Sequence, residues 1–360
     1  MLFDEILKLR LVNQQVSLPG HKAAKVVVEE MGAIQAQDFI MAEWAIGIRL
    51  HNPTNKTIET ALNNAEIIRT HLMRPTWHIV SSKDIHWLLE LTAPQIKSSL
   101  RARHKGLEIN EKVIKKSKKI IENSLQRDNH LTREELISKL ENSKIKTKNN
   151  RASHIFLMLE LDGLICSGIT KGKKRTYALL EERVPAKKFL YKDEALAELA
   201  KKYYTSHGPA TLYDFAWWSG LSMRDSRNAL EMNKENFISE TFKSKTFWFK
   251  DSTKFKQKMN NDIYLLPAYD EFIISYKDRS AAIKQEDISR AVSSNGIFRP
   301  VIVYKGSVIG LWKSLEKKEK ILLEAILFKS NSNLTDRLIN KASLLFGKFW
   351  GKPVEVKFKS

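Results

Sequence analysis

The chain has 360 residues, 42% of them hydrophobic, which is enough for a sizeable core and, at about 150 residues a domain, for two or three modules. No apolar run approaches the roughly 18 to 20 residues of a membrane span, and the start MLFDEILKLR is too charged for a signal peptide, so we expect a cytoplasmic protein. The single cysteine, Cys166, excludes an internal disulfide and a cysteine-built zinc site, and the formal net charge of +20 points to a polyanionic partner.

The first part of the chain begins with two helical patterns joined by a short polar connector. Residues 22–31 and 39–50 have helical spacing, Gly32 predicts the end of the first helix, and Asp38 is placed to cap the second. A third helix and two β-like runs follow, and the runs turn near Arg74. Helix, helix, helix and hairpin is the order of a winged helix, and the stretch GAIQAQDF lies in its first connector.

The clearest local pattern begins in the stretch LTREELISKL. Thr132 is followed three residues later by Glu135, which predicts a capping box at the start of an amphipathic helix. After a polar turn, a second helix begins near Arg151 and is closed by Gly163. Two strands around a basic, glycine-containing tip follow, so the segment is predicted to be a helix-turn-helix with a wing.

Two parts of this second unit could contact a nucleic acid. The tip of the wing holds four basic residues without an acid, which could contact phosphates or enter a minor groove: Lys171, Lys173, Lys174 and Arg175. The second helix begins with the residues that face bases in the simplest helix-turn-helix docking: Arg151, Ser153 and His154. The alternative for the wing is an ordinary solvated hairpin end.

The rest of the chain adds a third unit and a closing module. Residues 194–233 repeat the pattern of helix, Gly208-Pro209 break, helix and helix, and residues 237–250 could be the wing. From Asp262 the composition favours strands: a strand pair around Lys305-Gly306 is followed by a helix and a last strand. No long proline, glycine or serine linker separates these parts, so we expect them to pack together.

The predicted fold is therefore mainly α with small β, of the α+β class. It consists of three tandem winged helix-turn-helix motifs and a C-terminal α+β module. The predicted boundaries are 1–110, 111–190, 191–258 and 259–360.

Many enzyme classes are excluded by missing motifs. The chain has no Walker loop, no GxGxxG after a strand, no HExxH, no GxSxG and no CxxC. Asp270, Glu271 and Asp278 could be imagined as carboxylates that gather magnesium. More often such acids cap turns and pair with neighbours such as Lys277 and Arg279, so we expect no metal and no nucleotide cofactor.

Histidine and tryptophan side chains offer further candidates. His71 and His78 flank the hairpin HLMRPTWH, where a histidine could act as an acid or hold a phosphate, although each is more often structural. Four tryptophans could stack on an unstacked base, although aromatics so close to apolar runs are usually core: Trp77, Trp217, Trp218 and Trp312.

Gln35 and Gln37 would share a face if their connector is extended, because side chains two apart in a strand point the same way. Two amides could then hold one water between them, each offering an acceptor and two donors. They cannot act as a strong general base. Such a pair suits a reaction with an activated leaving group, in which positioning the water matters more than deprotonating it.

Five stretches along the chain together resemble one known family: GAIQAQDF, RTHLMRPTWHIV, HGPATLYDFAWWSGL, LLPAYDEFIISYKDR and VIGLWK. In order and position they are similar to the winged-helix DNA glycosylases of the AlkZ and YcaQ type, over nearly the whole chain. The signature of the AlkZ branch is glutamine, any residue, then glutamine, which Gln35-Ala36-Gln37 matches. The YcaQ branch has aspartate in the third place, and Asp38 lies one place too late for it.

The resemblance implies a C-shaped architecture with a concave DNA-binding face and the excision of alkylated purines, including those in interstrand crosslinks. The reaction would hydrolyse the N-glycosidic bond of a purine made cationic by alkylation, for instance at N7. Gln35 and Gln37 would position the attacking water, with no metal and no lysine Schiff base. The hairpin around Arg74, Trp77 and His78 would lie near the pair, and the basic wing would grip the DNA backbone.

These expectations make double-stranded DNA with alkylated purines the partner of a monomeric protein, nucleoid-associated when bound. The alternative is a non-catalytic DNA binder such as a transcription regulator, because winged helices often serve regulators. Against it, the sequence shows no ligand-sensing domain. A third hypothesis is that the basic surface binds an acidic protein partner. A salt titration would distinguish the two, because the affinity for DNA should fall steeply and log-linearly as salt rises.

Overall fold

Three segments of the chain repeat one order of elements in the computed structural model, which describes residues 3–172, 174–251, 262–329 and 333–359. The first segment follows an N-terminal helix, α1 (Phe3–Asn13). Its elements are α2 (Ala24–Met31), β1 (Ile34–Gln35), α3 (Phe39–Gly47), α4 (Asn55–Asn63), β2 (Ile67–Leu72) and β3 (Thr76–Ser81). The three strands form one sheet in the order β1-β3-β2.

The second segment has the same sheet order. Two connecting helices lead to it, α5 (Ile85–Ser99) and α6 (Arg101–Gly106). Its elements are α7 (Glu111–Leu125), β4 (Leu131–Thr132), α8 (Arg133–Asn142), α9 (Arg151–Leu161), β5 (Ile165–Ser167), β6 (Thr176–Leu179) and the short α10 (Leu180–Arg183). The strand order β4-β6-β5 repeats that of the first sheet. In both sheets the first strand of the segment, β1 or β4, pairs with the last one, β3 or β6.

The third segment replaces the first strand by a single bridge. Its elements are α11 (Lys192–Ser206), α12 (Leu212–Ser219), α13 (Met223–Glu231), β7 (Ile238–Phe242) and β8 (Lys245–Phe249). Ala210 and Trp248 exchange backbone hydrogen bonds of 3.0 and 2.8 Å where the other segments have a short strand. All three segments thus have the element order of a winged helix, and the predicted hairpin at residues 237–250 is present.

The C-terminal part forms, within its described residues, a five-stranded sheet with three α-helices and a short 3₁₀ helix, Gln285–Asp287. Its elements are β9 (Ile263–Leu266), α14 (Glu271–Ile274), α15 (Ile288–Ala291), β10 (Val301–Tyr304), β11 (Ser307–Glu316), β12 (Ile321–Leu327), α16 (Asn333–Trp350) and β13 (Val354–Lys359). The order is β13-β12-β11-β10-β9, and only β12 and β13 are parallel. The mixed α+β class predicted from the sequence is confirmed.

Three predicted helix-end signals are confirmed because they are local, although α2 begins two residues later than predicted and α3 ends at Gly47 rather than at residue 50. Gly32 ends α2 with φ +78°, a conformation that glycine adopts without strain. The Asp38 side chain accepts the Met41 N–H at 3.1 Å and caps α3. Thr132 and Glu135 form the predicted capping box at α8, with hydrogen bonds of 2.7 and 3.3 Å.

The first segment and the C-terminal sheet share one hydrophobic core, so the predicted packing of the parts is confirmed. The Trp44 indole on α3 donates to Leu265 O at 2.7 Å, and Trp312 on β11 donates to Leu266 O at 2.8 Å. The C-terminal sheet therefore packs against α3. The domain boundaries stay predictions, since this core spans two of the predicted domains. Within the described ranges, no helix is both long and apolar enough to cross a membrane.

A fully buried ion pair fastens α14 to the first segment. Arg49 donates from its two terminal nitrogens to both Asp270 oxygens at 2.8 and 2.9 Å, and Asp270 also accepts the Phe272 N–H. Asp270→Asn is expected to lower the free energy of unfolding in urea by about 3 to 5 kcal/mol, because it leaves a buried guanidinium without its charge partner. The exposed pair of Lys83 and Glu29 is the control.

Lys83→Met breaks that exposed pair, whose nitrogen and oxygen lie 3.0 Å apart, and is expected to change the free energy of unfolding by less than about 1 kcal/mol. Equal effects of Asp270→Asn and Lys83→Met would show that the buried pair does not hold α14 in place.

Candidate active site

Gln35 ends β1 and lies inside the first winged-helix segment. It is 3% exposed and pairs with His78 across the sheet. Its side-chain oxygen lies 3.4 Å from the Thr76 hydroxyl and 3.5 Å from Arg74 Nη2, both of which donate to it. Strand pairing and these donors together fix the amide of Gln35.

Gln37 is exposed and follows Gln35 in the bend that leads into α3. The bend is anchored on both sides: the Ala36 N–H donates to Trp77 O at 2.7 Å, and Asp38 caps α3. β1 ends at Gln35, so the connector is extended only that far. Alternation along a strand therefore does not by itself place both side chains on one face. The Gln35 side chain is buried and the Gln37 side chain is at the surface.

Glu271 lies directly behind Gln35, at the start of α14, and is 1% exposed. Its Oε1 accepts the Gln35 backbone N–H at 2.6 Å. Its Oε2 accepts the Trp218 indole N–H at 3.1 Å and the Ser275 hydroxyl, and lies 3.5 Å from His207 Nε2. The C-terminal part of the chain thus contributes a buried carboxylate to a site whose glutamines come from the first segment.

The charge states near Gln35 follow from burial and hydrogen bonding. Burial raises the pKa of Glu271, but the neighbouring His207 ring and the hydrogen bonds from Ser275 and the Gln35 N–H lower it to about 2, so the carboxylate is ionised. Burial and the charge of Arg74 lower the pKa of His78 to about 4. The His78 ring is therefore neutral, with Nδ1 donating to Thr76 O at 3.1 Å, and it cannot hold a phosphate as a cation at neutral pH.

The second wing touches the first segment beside Gln37. The guanidinium carbon of Arg175 lies 3.5 Å from the centroid of the Phe39 ring, at the start of α3. Arg69 also holds the backbone of the glutamine connector, because its Nη2 and Nε donate to Ala36 O at 3.0 and 3.2 Å. The predicted role of Arg175 at the DNA backbone stays a prediction, but the structure brings this residue next to the glutamine connector.

Two of the other predicted wing residues lie on the same hairpin as Arg175. Lys171 and Lys174 are exposed, and their backbones pair across the wing. Lys173 lies outside the described residues. The Lys171 ammonium donates to His130 O, and contact of Lys171 and Lys174 with DNA stays a prediction.

The start of the predicted recognition helix α9 is only partly exposed. Arg151 is buried, and its Nε donates to Lys146 O at 2.9 Å, which closes the preceding turn. Ser153 is exposed and accepts from Arg133 Nη2 at 2.9 Å, and His154 Nδ1 lies 3.1 Å from His104 Nε2. Arg151 thus has a structural role that polarity alone did not reveal.

The four tryptophans divide into two pairs. Trp218 and Trp312 are buried in the core, whereas Trp77 and Trp217 are half-buried. The Trp77 indole donates to Glu160 Oε1 at 3.4 Å, and the other Glu160 oxygen is bound by His71. Glu160 on α9 therefore ties the first hairpin to the second segment, and His71 is a structural residue of that joint.

The three acids considered for a metal have separate partners. Asp270 caps α14, as expected, while pairing with Arg49, and Glu271 supports Gln35. The expectation that Lys277 and Arg279 pair with these acids is wrong, because Asp278 pairs with Lys245 instead. In the part of the chain that the structure describes, no three acid, histidine or cysteine side chains are placed to hold a metal ion.

Comparisons with known proteins find matches over most of the chain. A family model described as DNA glycosylase AlkZ-like matches residues 28–342. A protein of Streptomyces sahachiroi named interstrand DNA cross-link repair glycosylase is 23% identical over 337 residues, which cover 87% of this chain and 88% of that protein. The solved structure of Streptomyces sahachiroi DNA glycosylase AlkZ has a TM-score of 0.82 at 19% identity, with 99% of this chain and 100% of that chain covered.

Proposed function

The chain belongs to the AlkZ-like DNA glycosylase family and is therefore a hydrolase of N-glycosyl bonds in DNA, and we propose that its substrates are purines made cationic by alkylation, for instance at N7. We also propose that it acts as a monomer without a metal or nucleotide cofactor, and that it is nucleoid-associated while bound. The non-catalytic alternative is not favoured by the family to which the chain belongs.

The observation that carries the substrate proposal is the chemistry of the groups around Gln35. Its neighbours are an ionised carboxylate, a neutral histidine and Arg74, and neither Glu271 nor His78 has a pKa close to 7. Such groups are poorly suited to general acid or base catalysis at neutral pH. A cationic purine does not need a proton to leave, so a site that only positions water is sufficient for it.

The proposed reaction assigns the two glutamines to one water molecule. Gln35 and Gln37 hold this water, and its oxygen forms a bond to C1′ of the deoxyribose while the bond from C1′ to the purine nitrogen breaks. The electron pair of the broken bond enters the purine ring and neutralises its charge. The excess proton of the water passes to solvent, and the products are the free base and an abasic site.

Glu271 is proposed as a positioning residue in this reaction. Its carboxylate accepts the Gln35 N–H at 2.6 Å and so fixes the strand end from which the amide projects. Its negative charge lies next to Gln35, and a preorganised charge stabilises a developing charge of the opposite sign.

Interstrand crosslinks are included in the proposal because the relative from Streptomyces sahachiroi is named for their repair. The test is to incubate the protein with a duplex that carries 7-methylguanine and with a nitrogen-mustard crosslinked duplex. Alkali-labile abasic sites are expected in both. If neither duplex loses a base, the proposed substrate class is wrong. If only the 7-methylguanine duplex loses a base, crosslinks are not substrates but the rest of the proposal stands.

The excision rate at saturating protein is expected to be independent of pH between about pH 6 and pH 9. Glu271 is ionised above its pKa of about 2, and His78 is neutral above its pKa of about 4, so neither changes charge in this range. Single-turnover rates on 7-methylguanine DNA measure the profile.

Glu43 is the control for this profile. Its carboxylate lies close to Arg175 of the wing, and burial raises its pKa to about 7. The profile is therefore repeated in Glu43→Gln, which removes that titration. A bell-shaped profile centred near pH 7 that persists in Glu43→Gln would show that a titrating acid or base takes part.

A further inference from the structure

Three basic side chains lie around the half-buried ring of Trp217. The Lys277 ammonium is 4.8 Å from the ring centroid, and the guanidinium carbons of Arg74 and Arg279 are 5.2 and 5.4 Å from it. The Trp217 indole donates to Ile274 O at 2.8 Å, which fixes the ring. The three cations and their shared aromatic ring are called the Trp217 cluster below.

The carboxylates nearest to the Trp217 cluster have other partners. Asp278 pairs with Lys245. Asp214 is buried, and its Oδ1 accepts the backbone N–H of Lys277 at 2.8 Å. Glu271 is occupied by the backbone and side-chain donors described above. Among the described residues, no ion pair within 4.0 Å neutralises the cluster.

Buried N–H groups in the cluster also lack acceptors. Arg74 Nε and Arg279 Nη2 are both buried and have no hydrogen-bond partner among the described residues. Burial and the neighbouring charge of Arg74 lower the pKa of Arg279 to about 10, so the Arg279 guanidinium stays charged at neutral pH. Buried charged donors without acceptors are costly, and an anion bound between them would remove that cost.

Arg74 connects the Trp217 cluster to the candidate active site, because its Nη2 lies 3.5 Å from Gln35 Oε1. We propose that the cluster binds a DNA backbone phosphate next to the nucleotide whose base is removed. This assignment rests on the proposed function. A cationic purine would be repelled by three positive charges, whereas a phosphate offers the negative charge and the oxygen pairs that guanidinium forks bind.

The test removes one charge on each side of the proposed contact. Lys277→Met removes an exposed ammonium from the cluster. Lys305→Met is the matched control, because Lys305 is also exposed and its ammonium lies 5.4 Å from the Tyr304 ring. The DNA probe is a duplex with one tetrahydrofuran abasic-site analogue. In a series of such duplexes, each phosphate near the analogue is replaced in turn by an uncharged methylphosphonate.

Dissociation constants from fluorescence anisotropy are expected to show coupling at one position. One methylphosphonate within a nucleotide of the analogue should weaken binding by the wild type and by Lys305→Met about tenfold, as for one charge-assisted contact. The same replacement should weaken binding by Lys277→Met by only about threefold, because one of the three cations that contact the phosphate is already absent while Arg74 and Arg279 remain.

Equal losses in the wild type and in Lys277→Met at every position would overturn the assignment, as would a wild type that no replacement affects. These binding measurements do not require base release. A protein that excises no base would therefore contradict the proposed function, while the coupling would still report whether the Trp217 cluster holds a phosphate.

Discussion

Gln35→Ala and Gln37→Ala are each expected to lower the single-turnover rate of base excision by about 10²- to 10³-fold, which is typical for the loss of one preorganised polar group at a reacting centre. The two variants test different surroundings, because Gln35 is buried within the sheet and Gln37 is exposed in the bend after it. Duplex affinity should change by no more than a few fold, since the basic residues that favour DNA binding are untouched.

The exposed Gln126, which lies just after α7, is the matched control. Gln126→Ala removes the same amide and should leave the excision rate unchanged. The thermal transition of Gln35→Ala is measured alongside, because its side chain accepts hydrogen bonds from Arg74 and Thr76. Unchanged excision in both Gln35→Ala and Gln37→Ala would show that the pair does not hold the water.

Glu271→Gln is expected to lower the excision rate at saturating protein by about 10²-fold, by analogy with the loss of one preorganised electrostatic group. The change keeps the size of the side chain but removes the negative charge behind Gln35 and replaces one acceptor by a donor. Single-turnover rates and dissociation constants are measured separately, because a positioning residue should change the rate of the bound complex while leaving duplex affinity unchanged.

Asp84→Asn separates this role from mere structural support. Asp84 is also buried and accepts an indole N–H, from Trp87 at 3.0 Å, but it makes no hydrogen bond to the glutamine connector. Both variants should be less stable in urea, since each leaves buried donors without an ionised acceptor. Only Glu271→Gln should slow excision by the folded, DNA-bound protein. Equal rates in Asp84→Asn and Glu271→Gln would show that Glu271 only supports the fold.

Sequence reasoning succeeded where the physical cause is local. The cap at Asp38, the capping box at Thr132 and the hairpin that turns near Arg74 each depend on a few neighbouring residues, and all three are present. The repeated winged-helix order followed from these signals. The glutamine pair was selected by its resemblance to a family, since two amides in a connector have no chemical signature of their own.

The rest of the site depends on contacts between distant parts of the chain. Gln35 and Glu271 are 236 positions apart, and no periodicity in the sequence indicates that they meet. Acids and bases in the segment YDEFIISYKDR were expected to pair with one another. The fold instead gives Asp278 to Lys245 and leaves Lys277 and Arg279 beside Trp217. The available signal was the cluster of charges directly after a buried strand.

The contact between the C-terminal sheet and the first segment brings the C-terminal part next to the glutamine connector. Leu265 and Leu266, at the end of β9, accept the indole donors of Trp44 and Trp312. A few residues later, Asp270 pairs with Arg49 and Glu271 supports Gln35. The first segment therefore carries the glutamines, while the C-terminal part fixes the backbone of Gln35 and supplies the buried charge of Glu271.

Release of free base from two otherwise identical duplexes, one with a single 7-methylguanine and one with guanine in its place, tests the proposed substrate class most directly. If the glutamine site positions water and supplies no strong acid, as proposed, the 7-methylguanine should appear as free base under single-turnover conditions, while guanine release should stay at the level without protein. Absence of release from the 7-methylguanine duplex, or equal release from both, would contradict a site built for cationic purines.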